Sequence, residues 1–346
     1  MRRTESKFWR LTIDTNPEDC NLNCIMCEEH SPFSDFKKKL YEKTGIRKRR
    51  MPKEWIEKIF IEAKNLGVKE IIPSTMGEPL LYKDIDLFFI LAGKLNIKIN
   101  LTTNGTFPGK SVEDWAKLII PVTSDTKISL NGATKKTAED IMAGLDFDKQ
   151  IENIEAFVKY RNKYFQNSGY YSRVTLQLTF MQNNMNELPE IIKLAANLDI
   201  DRIKGHHLWT HFKEINHLSF KNDDESMKRW NRIVDLANEA VEKYRKPNGK
   251  KILLEQIDYL KPTETKEVPY EYECPFLEKE LWLSATGKIS PCCAPDEQRD
   301  SLGDFGHYPD TTLKNVFEKD IYKNLVKNYK DNPLCKVCVM RKPMEI

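Results

Sequence analysis

Apolar and polar positions along roughly the first 250 residues fall into two alternating rhythms. The stretch KFWRLTID alternates sides up to Asp14, the two-residue period of a strand with one buried face. PKEWIEKIFIEAKNLG then places Ile56, Ile59, Phe60 and Ala63 on one helical face, with Pro52 suited to the first turn and Gly67 to the end. VKEIIPS reads as a strand, and DIDLFFILAG as a helix with Ile85, Phe88, Phe89 and Ala92 on one face. IKINLTTNG and TKISLNG are further strands that each run into Asn-Gly. After a helix near 148–164, the strand RVTLQLTFM is followed by a helix with Leu188, Ile191, Ile192 and Ala195 on one face. A sixth strand, DRIKGHHLW, precedes a long helix marked by Trp230, Val234, Ala237 and Val241.

Strands alternating with helices of this length predict β-α units around a parallel sheet, and six to seven units fit a full or partial barrel. In such barrels the site lies at the C-terminal ends of the strands. The polar and thiol-bearing loops fall there: Cys20 to Cys27 after strand one, STMGEP after strand two, TTNGT after strand three, SLNGAT after strand four and GHHLW after strand six. The tail differs. LWLSATGKISPCC reads as a hairpin turning at Thr286-Gly287, and NPLCKVC lies near the C-terminus. The predicted division is a barrel over 1–248 and a small α+β domain over 249–346.

A length of 346 residues, with 40% hydrophobic and 31% charged, predicts a globular protein whose core needs no disulfides. The formal charge of +3 is too small to imply nucleic acid. The densest basic run, Arg47 to Arg50 after Lys37 to Lys39, reads as a solvated loop, with an anionic substrate or partner as the alternative. No apolar run reaches the 18 or more residues of a membrane span, and the N-terminus has no secretory core segment. A reducing cytoplasm is the expected location, where clustered cysteines are metal ligands rather than disulfides. The eight cysteines, at 20, 24, 27, 274, 292, 293, 335 and 338, form one group near each end and imply two separate sites.

The first group, Cys20-Asn-Leu-Asn-Cys24-Ile-Met-Cys27, offers three thiolates where a closed zinc or iron–sulfur site takes four ligands. A structural zinc would need His30 as a fourth ligand. The C-x3-C-x2-C spacing after a first β-strand resembles the signature of the radical SAM enzymes. That resemblance implies a partial (β/α)6 barrel and a 4Fe–4S cluster held by Cys20, Cys24 and Cys27. Its fourth iron is left open for S-adenosylmethionine, which is cleaved to a 5′-deoxyadenosyl radical that abstracts substrate hydrogen. It also implies that Met26 packs on the adenine. Met76-Gly77-Glu78-Pro79 resembles the family's G-G-E-P segment, which receives the methionine amino group, with Met76 in place of the first glycine. Thr103, Asn104, Ser129 and Asn131 stand where the family places polar contacts to the cofactor.

The second group resembles the auxiliary-cluster domain called SPASM, or its shorter form, twitch. The resemblance implies a fully ligated second 4Fe–4S cluster on Cys274, Cys292, Cys335 and Cys338, with Cys293 spare. Adjacent residues on a hairpin strand point to opposite faces, so Cys293 is expected to face away from Cys292's cluster.

Four of the six histidines crowd into GHHLWTHFKEINH at the barrel mouth. His206, His207 and His211 are the candidates for hydrogen bonding a polar substrate or for acid–base work near neutral pH. Glu28, Glu29 and His30 are expected to brace the cluster loop. The family supplies two outcomes: dehydrogenation of a small hydroxylated molecule, with the second cluster as electron acceptor, or modification of a peptide. Cys20 lies 19 residues after Met1 and the chain ends eight residues after Cys338. With no leader-binding domain expected on either side, the small polar substrate is favoured. An external electron donor such as flavodoxin or ferredoxin is the expected partner. A colourless, non-catalytic zinc protein is the competing class.

Overall fold

The computed structural model describes residues 8–73, 76–261 and 267–343. Its first strand, β1 (Arg10–Ile13), is followed by the two-residue β2 (Asn23–Cys24), α1 (Phe36–Thr44), α2 (Lys53–Asn65) and β3 (Glu70–Pro73). Next come α3 (Ile85–Leu95), β4 (Lys98–Thr103), α4 (Val112–Ile119), β5 (Thr123–Ser129), α5 (Lys135–Ile141), β6 (Met142–Ala143) and α6 (Phe147–Ser168). β7 (Arg173–Phe180), α7 (Leu188–Asn197), β8 (Arg202–His207), α8 (Asp224–Lys243), β9 (Leu253–Glu255), β10 (Glu280–Leu283) and β11 (Ile289–Ser290) complete the principal elements. Nine strands form one sheet in the order β11-β10-β1-β3-β4-β5-β7-β8-β9, parallel except for the final β10–β11 hairpin. Three strands after residue 248 therefore belong to the same sheet as the barrel.

The amphipathic helices cover the outer face of this curved sheet. α2 buries Ile56, Ile59, Phe60 and Ala63, and α3 buries Ile85, Phe88, Phe89, Leu91 and Ala92. Phe60 and Phe88 meet edge to face at 5.3 Å and join the two helices. Each buried Ile, Leu or Phe among these contributes about 1.5–3 kcal/mol. Pro52 lies one position before the first turn of α2, where its missing N–H costs nothing. α1 is the helix the pattern did not announce: its sequence FKKKLYEKT has no apolar face and none of its residues is buried.

The inner face is polar. Arg10 and Thr12 of β1 bond Glu280 of β10, and Glu70 of β3 receives Asn100 of β4 and Ser124 at a bulge in β5. Arg202 of β8 bridges Asp125 of β5 and Glu255 of β9, which also receives Lys204 at 2.6 Å. A barrel packed as a core carries branched apolar residues here. This lumen instead carries an ionic girdle, so it is built to hold polar contents.

At the end opposite the mouth, Arg161 of α6 is fully buried. It donates to the Asp201 carboxylate at 2.6 Å and to the Asp199 carbonyl at 2.8 Å, while Lys246 also bonds Asp201. Burial alone would raise the Asp201 carboxyl; the Arg161 charge and the bonds from Lys246 and Tyr171 outweigh it and hold it below its ordinary value. Arg161→Met should lower the unfolding free energy by about 3–5 kcal/mol, because a buried carboxylate loses its main partner. The folded carboxyl lies below its unfolded value, so its contribution is present above the unfolded value and lost as pH falls through the folded one. Urea denaturation of both proteins at neutral and acid pH should show the deficit at neutral pH and its narrowing toward acid.

Candidate active site

The loop after β1 is fixed before any cofactor arrives. Cys24 lies in β2, whose antiparallel partner β6 places Met142 opposite it. Ile25 donates to the Ile141 carbonyl at 2.9 Å, and Cys27 to the Cys24 carbonyl at 3.0 Å. The basic run expected to be a solvated loop instead grips this one. Arg49 bonds Glu18 through its backbone N–H and its guanidinium, both at 2.6 Å, and reaches Glu29 at 3.1 Å. Lys48 and Arg50 both hold Asp19, the residue before Cys20. Burial raises Asp19's carboxyl, but the two cations outweigh that and keep it lowered.

Cys20, Cys24 and Cys27 are free, half-buried thiols. Burial pushes Cys20 up to about 11 and raises the other two as well. Such thiols become ligands when a metal displaces their protons. His30 is not the fourth ligand of a zinc. One ring nitrogen lies 2.8 Å from the Pro17 carbonyl, to which it donates, and the other lies 3.0 Å from Lys37 Nζ. Among the described residues, no three His, Cys, Asp or Glu side chains surround a single-ion position. Three thiols with no fourth side chain suit a cluster with one open iron.

The second wall comes from the loops after β3 and β4. Ser74 and Thr75 of STMGEP lie outside the described residues. Gly77 has φ +72°, and a Cβ there would lie 2.6 Å from the Asn16 carbonyl oxygen and 2.7 Å from that of Asp19. Only glycine lets this loop rest on the backbone leading to Cys20. Pro79 is buried at the start of a short 3-10 turn. Glu78 is 1% exposed. It accepts from the Thr103 hydroxyl at 2.8 Å, the Asn104 backbone N–H at 2.7 Å and the Leu80 N–H at 3.2 Å. Burial pushes its carboxyl up to about 7 against the pull of these donors. The Asn104 amide in turn donates to Asn21 at 2.8 Å and lies 3.9 Å from Cys20 Sγ. Glu78, Thr103 and Asn104 thus form a brace that ties the loops after β3 and β4 to the thiol loop. Met26 is half-buried against the core.

Ser129 ends β5, and its carbonyl accepts from Gln150 at 2.8 Å. The buried Asn131 accepts from the Thr179 N–H at 2.8 Å, tying the ends of β5 and β7. The histidines part company. His206 opens to the lumen with Nε2 3.3 Å from the Thr179 hydroxyl, and desolvation by the surrounding strands, then the Lys204 charge, hold its ring below the ordinary value. His207, the next residue on the strand, packs outward at 4.7 Å from Trp230 and 5.7 Å from Phe180. There burial drives it down to about 4, so it is a neutral core residue. His211 stacks on Trp209 at 6.3 Å. Lys127, Gln177, Lys204 and Glu255 also line the lumen, and sequence reasoning passed over them. Their signal was available: charged and amide residues at alternate positions of otherwise apolar strands.

In the tail, Cys274, Cys292, Cys335 and Cys338 are half-buried. Burial, and after it the neighbouring thiols, raises Cys274 and Cys335, whereas the bond with Cys293 lowers Cys292 to about 7. β11 ends at Ser290, so Cys292 and Cys293 lie beyond the strand. The expected alternation of their side chains therefore does not apply: the Cys293 thiol bonds that of Cys292 and feels Cys338 and Cys274. What distinguishes Cys293 is exposure, since the other four are half-buried. A set of four enclosed thiols fits a closed cluster.

Glu78→Gln should cost about 1–3 kcal/mol, because its amide nitrogen cannot accept the Asn104 N–H. The same change should weaken S-adenosylmethionine binding by loosening Asn104 behind Cys20. Denaturation and calorimetry on the reconstituted protein measure the two effects.

No helix among the described residues is long and apolar enough to cross a membrane. The GTP 3′,8-cyclase of Clostridium botulinum (strain Hall) is 33% identical over 138 residues, 39% of each chain. A probable GTP 3′,8-cyclase of Pyrococcus abyssi is 26% identical over 184 residues, 53% of this chain and 51% of its own. The chain thus spans between about two fifths and one half of these curated relatives. Among solved structures, Streptococcus suis SuiB bound to S-adenosylmethionine superposes with a TM-score of 0.59 at 19% identity, covering 95% of this chain and 67% of that one. Native anSMEcpe with bound AdoMet gives 0.63 at 20% identity, covering 92% and 83%. The family model of an iron–sulfur cluster-binding domain, SPASM, matches residues 274–339. That of the radical SAM superfamily matches residues 17–202, more than half the chain, and the protein belongs to that superfamily.

Proposed function

We propose that this radical SAM protein oxidises a small polar hydroxylated molecule held in the barrel lumen, converting a carbinol to a carbonyl. The observation that carries the reading is the lumen itself, lined by Ser129, Gln177, Thr179, Lys204 and His206 instead of apolar side chains. When bound, S-adenosylmethionine and the first cluster supply a hydrogen-abstracting radical, and the second cluster supplies a one-electron acceptor. Cys20, Cys24 and Cys27 would hold the first cluster, and Cys274, Cys292, Cys335 and Cys338 the second. Loss of one hydrogen atom from carbon, one proton from oxygen and one electron balances the oxidation. The proton goes to His206, whose ring the surrounding protein and, after it, the Lys204 charge hold below its ordinary value, which favours the neutral base. Thr179 fixes the ring from behind. His207 takes no part, since it faces α8, while the ring of His211 stacks on Trp209. An external donor such as a flavodoxin or ferredoxin would supply the electron for the first cluster.

A second reading is peptide modification. It is favoured by the fold shared with Streptococcus suis SuiB bound to precursor peptide SuiA, at a TM-score of 0.59 and 18% identity. The anSMEcpe complex with a Cp18Cys peptide gives 0.62 at 19%.

A hydrogen-transfer assay separates them. Substrate pools deuterated at carbinol positions should yield monodeuterated 5′-deoxyadenosine and a carbonyl product, and peptide pools should not. His206→Phe should lower carbonyl formation by about 10²–10⁴-fold, with S-adenosylmethionine cleavage retained. Deuterium arriving only from peptide would replace the first reading by the second.

A further inference from the structure

We propose that Lys127, together with Gln177, holds an oxyanion of the substrate, a carboxylate or a phosphate, inside the barrel lumen. This deepens the reading that the lumen is the substrate site and rests on it. Lys127 stands at the middle of β5, two residues below Ser129 and on the same side. β5 pairs it with Thr175 of β7, and pairs Ser129 with Gln177 one step nearer the mouth.

Every other charged group around it is engaged. Arg10 of β1 bonds Glu280 of β10. Glu70 of β3 accepts from Asn100 and Ser124. Asp125, on Lys127's own strand, is taken by Arg202 and Thr175. Lys204 and Arg202 of β8 share Glu255 of β9. The Lys127 ammonium makes no hydrogen bond or ion pair with any described residue. Gln177 is in the same position: its amide oxygen is buried without a partner. A buried amide oxygen and an ammonium without partners on adjacent strands each forfeit free energy. A ligand oxyanion satisfies both, since the amide can turn its N–H outward and the ammonium has three donors.

Burial lowers the Lys127 ammonium to about 8, with Asp125 and Glu70 favouring its charge and Lys204 and Arg10 opposing it. Anion binding should therefore be strong below pH 8 and fade above it. His206, whose ring is held below its ordinary value, does not account for that change.

The test is calorimetric, on the full chain reconstituted with iron and saturated with S-adenosylmethionine, using malonate, inorganic phosphate and glycerol as probes. At pH 7.5 one of the anions should bind and glycerol should not; malonate alone assigns a carboxylate, phosphate alone a phosphate. Lys127→Met should weaken that binding at least tenfold, and Lys127→Arg should stay within about threefold of the parent. Raising the pH from 7.5 to 9 should weaken the parent about eightfold, as a group of pKa about 8 discharges, and leave Lys127→Arg unchanged. If Lys127→Met fails to fold, the contrast in pH response between the parent and Lys127→Arg decides. The proposal is overturned if neither anion binds, if folded Lys127→Met binds as well as the parent, or if binding occurs only without S-adenosylmethionine. In that last case Lys127 serves the cofactor's own carboxylate. Anion binding without hydrogen transfer from carbinols would sink the dehydrogenation alone, and transfer without anion binding would sink Lys127 alone.

Discussion

The pairing of β1 on both edges is the constraint on which the rest depends. Four residues, Arg10 to Ile13, are held in parallel register by β3 on one side and β10 on the other. The thiol loop leaves the upper end of this strand. The tail thiols leave the lower end of its neighbour, because β11 runs antiparallel and carries the chain back from the mouth to Cys292. Cys274 precedes β10 at that same lower end. Two thiol groups more than 240 residues apart in sequence are thus set at opposite ends of one strand pair. Three strand rises of ~3.3 Å make that pair about 10 Å long, which keeps the groups apart yet neighbouring.

Rigidity around the first thiols is electrostatic. Glu18, Asp19 and Glu29 would be costly so close to thiolates, and Arg49, Lys48 and Arg50 neutralise them. The buried Glu78 does similar work from the other wall, using its oxygens on Thr103, Asn104 and Leu80. The thiol positions are therefore set by groups that do not themselves bind metal, the usual arrangement for a tuned site.

Much of this was legible in the chain. α2, α3, α7 and α8 bury the residues their periodicity named, because a helix with one apolar stripe has one stable way to sit on a sheet. The Thr286-Gly287 turn was readable because Gly287 has φ +90°. α1 was not, since its residues face water and nothing apolar marks them. The β2–β6 ladder is two residues long and leaves no period to detect. The grip of Arg49 on Glu18 joins positions 31 residues apart, which a charge run cannot announce. The histidines divide on a rule that was available: adjacent strand residues face opposite ways, so His206 meets the lumen and His207 meets Trp230. The same rule fails for Cys292 and Cys293 because the strand ends before them.

The central claim is that the chain carries two independent clusters, one open and one closed. Mössbauer spectroscopy with iron analysis on a reconstituted variant with Cys20, Cys24 and Cys27 all changed to Ala tests it most directly. The account predicts about four irons per chain in a single closed 4Fe–4S environment, with no 5′-deoxyadenosine formed. A folded triple variant that retains almost no iron would contradict it.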